Sequence, residues 1–134
     1  EDRPDGMILG YPVITSGAYT HEDSIKFLLG EDRYQDEKER EKVSVEKLVN
    51  HDTPKAFLWH TFEDDLVPVE NTLKMADALR KEGVLFEMHI YPHGPHGLAI
   101  CDETTVDVKE NLNPYAAYVS SWVEHCIRWI REVL

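Results

Sequence analysis

The chain has 134 residues, 42% of them apolar, and its 26 acidic against 14 basic side chains give a formal net charge of −12. That length is one domain or part of a larger one, and the apolar content suffices for a core. A surface this acidic repels the phosphates of nucleic acids and of anionic membranes, and no apolar run approaches the ~20 residues that a spanning helix needs, so neither partner is expected.

The first apolar run, Met7 to Val13, has the character of a strand buried on both faces, closing near Pro12, which cannot donate to a ladder. It starts so early that the sheet is expected to continue upstream of Glu1. Thr15 to Asn50 differs in kind. Its charged run Glu31 to Lys42 predicts a solvated helix, and Ser44 to Val49 a short helix opened by a serine cap. This 15–50 segment reads either as a cap-like insertion over the sheet's C-terminal edge or as a surface connector.

Lys55 to His60 is the second strand, opened by Thr53-Pro54, and Leu85 to Tyr91 the third, closed by Pro92. Between them, Val69, Leu73, Ala76 and Leu79 recur at helical spacing over 69–81, and Gly83 supplies a stop. Strand, helix and strand at this length form a βαβ unit with a right-handed crossover, hence a parallel sheet in an α/β fold. The last segment predicts the clearest helix, capped by Asn113 with Pro114 at its first position. Its stripe of Tyr115, Val119, Trp122, Cys126, Ile130 and Val133 should lie across the sheet. Two cysteines, Cys101 and Cys126, form no disulfide framework and no Cys-x-x-Cys pair. With no signal peptide at Glu1-Asp2-Arg3-Pro4, they predict reduced thiols and a cytoplasmic protein.

The chemistry concentrates in two turns. Phe62-Glu63-Asp64-Asp65-Leu66-Val67-Pro68 follows the second strand, and Pro92-His93-Gly94-Pro95-His96-Gly97 follows the third. Parallel strands converge on one crevice at their C-terminal ends, so an acid and a histidine there sit where a Ser-Asp-His hydrolase of α/β-hydrolase chain order needs them. The carboxylate orients the imidazole, which takes a proton from the serine and returns it to the leaving alcohol. Taken singly, each turn has a duller reading: a solvated acidic turn, and a loop histidine. On successive strand ends the catalytic reading is the better one.

No nucleophile accompanies them. Ser16 lacks the glycine two positions earlier that an elbow uses, Ser44 reads as a cap, Ser120 and Ser121 lie within the last helix, and Ser24 has no elbow context. Cys101 follows His96 too closely for this order, and Cys126 belongs to the helix stripe. His93-x-x-His96, even with His60 and His89, lacks the helical spacing and third ligand of a zinc site, so no metal is expected. His60 should be packed or hydrogen-bonded near the acidic turn, and His89 is read as a core histidine.

Arg3-Pro4-Asp5-Gly6, Leu9 to Ile14, Phe27-Leu28-Leu29-Gly30 and Val43 to Glu46 precede Thr53 to Thr61, Val67 to Asn71 and Pro95 to Leu98. In this order they resemble the C-terminal part of α/β-hydrolase esterases related to acetyl-xylan and other carbohydrate acetylesterases. The resemblance implies a partial domain over 1–134, with parallel strands, flanking helices and a helical insertion. It implies Asp64, with Asp65 as the alternative, as the triad carboxylate and His96 as the base. Tyr11 and Pro12 would line the substrate. The family's serine elbow and His-Gly-Gly-type loop would lie before Glu1, in a missing N-terminal half. The implied reaction is cofactor-free hydrolysis of a small ester, acetyl on a sugar, through an acyl-serine; without the serine, the segment alone should be inactive. A non-catalytic hydrolase-like binding domain and a prolyl-oligopeptidase-type peptidase are the alternatives. An isolated chain exposing the face that the other half covers should self-associate.

Overall fold

The computed structural model describes residues 3–102, 105 and 116–134. Three parallel strands, β1 (Gly6–Gly10), β2 (Lys55–Thr61) and β3 (Phe86–Tyr91), form a sheet in the order β1-β2-β3. The register pairs Gly10 with Trp59 and Thr61 with Tyr91, which brings the C-terminal ends of all three strands to one edge.

β2 is the centre of the molecule. Six of its seven residues are buried, because helices cover both faces. Phe57 and Trp59 point to one side, into a core completed by Tyr91, Val119, Cys126 and Trp129. Ala56 and Leu58 point to the other, against Met75, Ala76 and Leu79 of helix α4 (Glu70–Lys81). The period of two along a strand therefore sends His60 to the α4 side and Trp59 to the opposite one. Gly10 is required by its neighbour across the ladder: a Cβ there would lie 2.7 Å from Trp59 Nε1.

The expected strands are all present, although β1 stops at Gly10, two residues short of Pro12. The charged run forms two helices, α2 (Glu31–Tyr34) and α3 (Glu37–Lys42), which follow α1 (Glu22–Leu29). The break has a local cause, since the Asp36 carboxylate accepts from the Lys38 amide and starts a new helix. Ser44 precedes only a single 3₁₀ turn, Val45–Lys47, and does not cap it. Its hydroxyl accepts instead from the Ser16 amide at 2.9 Å and meets Ser16 Oγ at 2.7 Å, closing the insertion onto the segment after β1.

In α4 the inward stripe is Asn71, Thr72, Met75, Ala76 and Leu79, and the expected Leu73 is 44% exposed. The C-terminal segment contains α5 (Ala116–Val119) and α6 (Ser121–Val133). Val119, Cys126 and Trp129 are buried, whereas Ile130, expected on the stripe, is 43% exposed. Both positions are apolar, and the flat faces of the aromatic core select the indole: Trp129 packs on Phe57, and Trp122 stacks on Trp59 at 5.0 Å. Asn113, Pro114 and Tyr115, assigned above to this helix, lie outside the described residues. Among the described residues no helix is long and apolar enough to cross a membrane.

Candidate active site

The β2 and β3 turns bring Asp64 and His96 together. His96 Nδ1 lies 2.7 Å from Asp64 Oδ2, and the Asp64 side chain has no solvent exposure, whereas that of His96 is 26% exposed. Of the two aspartates, Asp64 is the one that meets His96, and Asp65 is exposed. Asp64 Oδ1 accepts from the backbone amides of Leu66 at 3.1 Å and Val67 at 2.8 Å. A short acidic turn thus donates its own N–H groups to the carboxylate and stops it rotating.

A carboxylate accepts only, so the Nδ1 facing it carries the proton and, in the neutral ring, His96 Nε2 is left with its lone pair. Among the described residues Nε2 has no hydrogen-bond partner. Gly97, at φ +81, lets the chain turn away immediately after the histidine. Tyr11 supplies a wall: its ring stands edge-on to His96 at 4.8 Å and to Trp59 at 4.9 Å. Its amide continues the ladder to Trp59 O, and its φ of +39 is uncommon for a side-chain-bearing residue. Pro12 follows it, half-buried.

Three neighbours complete the site: His60, expected near the acidic turn and found bonded to it, and Asn71 and Glu63, for which no contact is predicted from sequence. His60, fully buried, meets Asp64 Oδ2 at 3.1 Å and the Val67 carbonyl at 2.9 Å through Nε2, and Thr72 Oγ1 at 2.8 Å through Nδ1. Burial holds its pKa below the usual histidine value, against the opposing pull of the Val67 carbonyl and Asp64. Asn71, also fully buried, accepts from the Ile14 and Thr15 amides and donates to the Tyr19 and Pro68 carbonyls, so all four bonding positions of its amide are used. Glu63 binds the His93 ring at 2.8 Å and the Gly94 amide at 3.3 Å, fastening the acidic turn to the histidine turn. The His93 ring holds the exposed Glu63 carboxyl below the usual carboxylate range. A signal for Asn71, and for the Thr72 that bonds His60, was present in the sequence: both share the helical face of Met75 and Leu79, where a polar side chain needs a buried partner.

The serines are otherwise engaged. Ser16 donates to the Arg40 carbonyl, Ser120 and Ser121 to carbonyls one turn back, and Ser24 Oγ in α1 contacts the ring of His21, just before that helix. Burial pushes the Cys101 thiol up to about 11 and also raises that of Cys126, so neither is a thiolate at neutral pH. His89 stacks on His125 at 4.5 Å and bonds Glu87, at the margin of the core rather than in it. Among the described residues no cluster of His, Cys, Asp and Glu could hold a metal ion. The insertion's polar cavity, of about 550 Å³, is lined by Thr15, Ser16, Tyr34, Arg40, Glu46 and Lys74, and contains neither Asp64 nor His96.

The family model for the prolyl oligopeptidase family matches residues 5–125. The chain belongs to the prolyl oligopeptidase family. Its sequence is 46% identical over 101 residues to an endo-1,4-β-xylanase B of Butyrivibrio fibrisolvens, a match covering 75% of this chain and 16% of that protein. Among solved structures it is similar to an acetyl ester-xyloside bifunctional hydrolase from Caldicellulosiruptor lactoaceticus, with 42% identity and a TM-score of 0.82. That match covers 98% of this chain and 43% of the other. A carboxylesterase from Lactobacillus plantarum gives 28% identity and a TM-score of 0.77, covering 98% of this chain and 46% of the enzyme. This prolyl oligopeptidase family member therefore has an α/β-hydrolase fold and hydrolase relatives, and spans less than half the length of either solved relative.

Proposed function

We propose that this chain carries the acid-base half of a serine ester hydrolase, acting on short acyl esters, with acetyl groups on sugars as the preferred substrates. The observation that carries this reading is the 2.7 Å bond from His96 Nδ1 to a fully buried Asp64, on the ends of neighbouring parallel strands. Asp64 holds His96 with Nε2 as the lone-pair nitrogen. Nε2 removes the proton of a serine hydroxyl as that oxygen attacks the acyl carbon, and delivers it to the leaving sugar oxygen as the acyl–oxygen bond breaks. Water then repeats the two transfers and frees the acid. In this reading the serine and the oxyanion-stabilising amides lie outside these 134 residues, which span less than half the length of either solved relative. Tyr11, whose ring stands edge-on to His96, and Pro12 after it are read as lining the substrate. The 134 residues alone are expected to be inactive, because without the serine there is no covalent route.

The acetyl-ester assignment leans on the 42% identical relative, whose acetyl ester-xyloside activity is in its name. The family match also favours a second reading, a peptidase, since prolyl oligopeptidases share the fold and residue order. The test begins with the coding frame upstream of Glu1, read for a Gly-x-Ser-x-Gly elbow. The extended protein is then assayed on acetylated xylo-oligosaccharides and on prolyl peptide amides. Acetyl release that His96→Ala abolishes supports the reading. Peptide cleavage without acetyl release moves the assignment to the peptidase. An upstream frame without a serine elbow leaves a hydrolase-like binding domain.

A further inference from the structure

We propose that His60 is a positioning residue for the Asp64–His96 pair, a buried neutral ring that fixes the carboxylate oxygen where His96 meets it. The inference rests on the reading of Asp64 and His96 as acid-base machinery.

The protonation state of His60 follows from its partners. Nε2 faces the Val67 carbonyl at 2.9 Å and Asp64 Oδ2 at 3.1 Å, both acceptors, so this nitrogen carries a proton. Nδ1 faces Thr72 Oγ1 at 2.8 Å, a hydroxyl able to donate to its lone pair. One tautomer of the neutral ring satisfies every contact. A charged ring would need Thr72 to turn its hydroxyl away, in a site without solvent.

The consequence falls on Asp64. Two backbone amides hold Oδ1, and two imidazole N–H groups converge on Oδ2, from His60 on the α4 side and from His96 on the histidine turn. Remove His60, and Oδ2 retains one donor, carried on a partly exposed side chain of the histidine turn. His60 is anchored differently: β2 holds its backbone, Thr72 holds its far nitrogen, and the side chain has no exposure. It is the more enclosed and more fully bonded of the two donors. A carboxylate fixed on its buried side offers its exposed lone pair in one direction, and preorganisation of this kind keeps a base aligned before substrate arrives.

The test uses the extended protein, labelled with ¹⁵N, in long-range ¹H–¹⁵N correlation spectra of the histidine rings at mildly alkaline pH, together with water exchange of the His96 ring proton. In the wild-type chain His60 is expected as the Nε2–H tautomer and His96 as the Nδ1–H tautomer. His60→Leu removes the donor and should speed exchange of the His96 ring proton roughly tenfold, whereas His60→Gln, which keeps an N–H near the Nε2 position, should stay within about threefold. Equal exchange in wild type and His60→Leu, or equal acceleration in both variants, overturns the inference while leaving the esterase reading in place. If His60→Leu does not fold, Thr72→Val decides: faster His96 exchange supports the inference and unchanged exchange overturns it. A wild-type chain with His96 in the Nε2–H tautomer overturns the esterase reading, and the inference with it.

Discussion

Replacing Asp64 by Asn changes one atom of a side chain that accepts four hydrogen bonds, and its cost can be worked from the contacts. Asp64 accepts from Leu66 N, Val67 N, His60 Nε2 and His96 Nδ1. In Asn the new NH₂ group must take one of two places. At Oδ1 it faces two backbone amides, which cannot reverse. At Oδ2 it faces two ring N–H groups, and only the half-exposed His96 can exchange tautomer cheaply. His60 is tied by the Val67 carbonyl, so one buried donor is left against another. An unsatisfied buried group costs about 1–3 kcal/mol, and the lost charge-assisted bonds add to it, giving ~2–4 kcal/mol in all. With an m-value of about 1–3 kcal/mol/M, the urea midpoint of Asp64→Asn should fall by roughly 1–2 M. The fluorescence of Trp59, Trp122 and Trp129 reports it. The exposed neighbour is the control: Asp65→Asn should stay within ~0.5 kcal/mol. If Asp64→Asn unfolds within about 0.3 M of wild type at the same m-value, the bonding scheme is wrong.

His60 also sets a pH dependence of stability. Its folded-state pKa is lowered by burial, so as pH falls below the unfolded value of about 6.5 the unfolded chain takes up a proton that the folded chain refuses. Stability should then fall by up to ~1.4 kcal/mol per pH unit until the folded pKa is reached, and urea midpoints of His60→Gln over the same pH series should give a shallower slope. Gly10→Ala places a Cβ 2.7 Å from Trp59 Nε1 and should cost about 1–3 kcal/mol, with a changed near-ultraviolet circular dichroism from the displaced indole. An unchanged spectrum and melting temperature would show that Trp59 moves aside freely. With Cys101 pushed up to about 11 and both cysteines buried, a thiol reagent at neutral pH should label neither in the native chain and both in urea. Rapid native labelling would contradict that burial.

What could be read from the sequence was set by how many interactions each position answers to. β2 shows as an apolar run because both its faces are covered, and the two turns show because parallel strands must end on one edge. The pairing of Asp64 with His96 follows from that topology. Helix faces were harder. Leu73 and Ile130 look as apolar as their neighbours, yet Thr72 and Trp129 face inward, one for a histidine nitrogen and one for an aromatic wall. Periodicity counts hydrophobic side chains and is blind to a buried hydroxyl with a partner across the core. Ser44 shows the same limit: its spacing marks a helix cap, but the Ser16 amide, 28 positions away, takes the hydroxyl.

The adjacency of Asn71 and Thr72 bears on how the chain tolerates changes of length. One side chain grips the segment after β1 and the next grips the ring beneath Asp64, so α4 is keyed to two remote places at once. Adding or removing a residue within 62–69 would turn the helix by ~100° and pull both keys from their locks together. The exposed helices α2 and α3 carry no such double attachment to the sheet and bury none of their residues. Insertions and deletions should therefore accumulate around 31–42 and be excluded from 62–69, a contrast that a library of single-codon insertions would display directly.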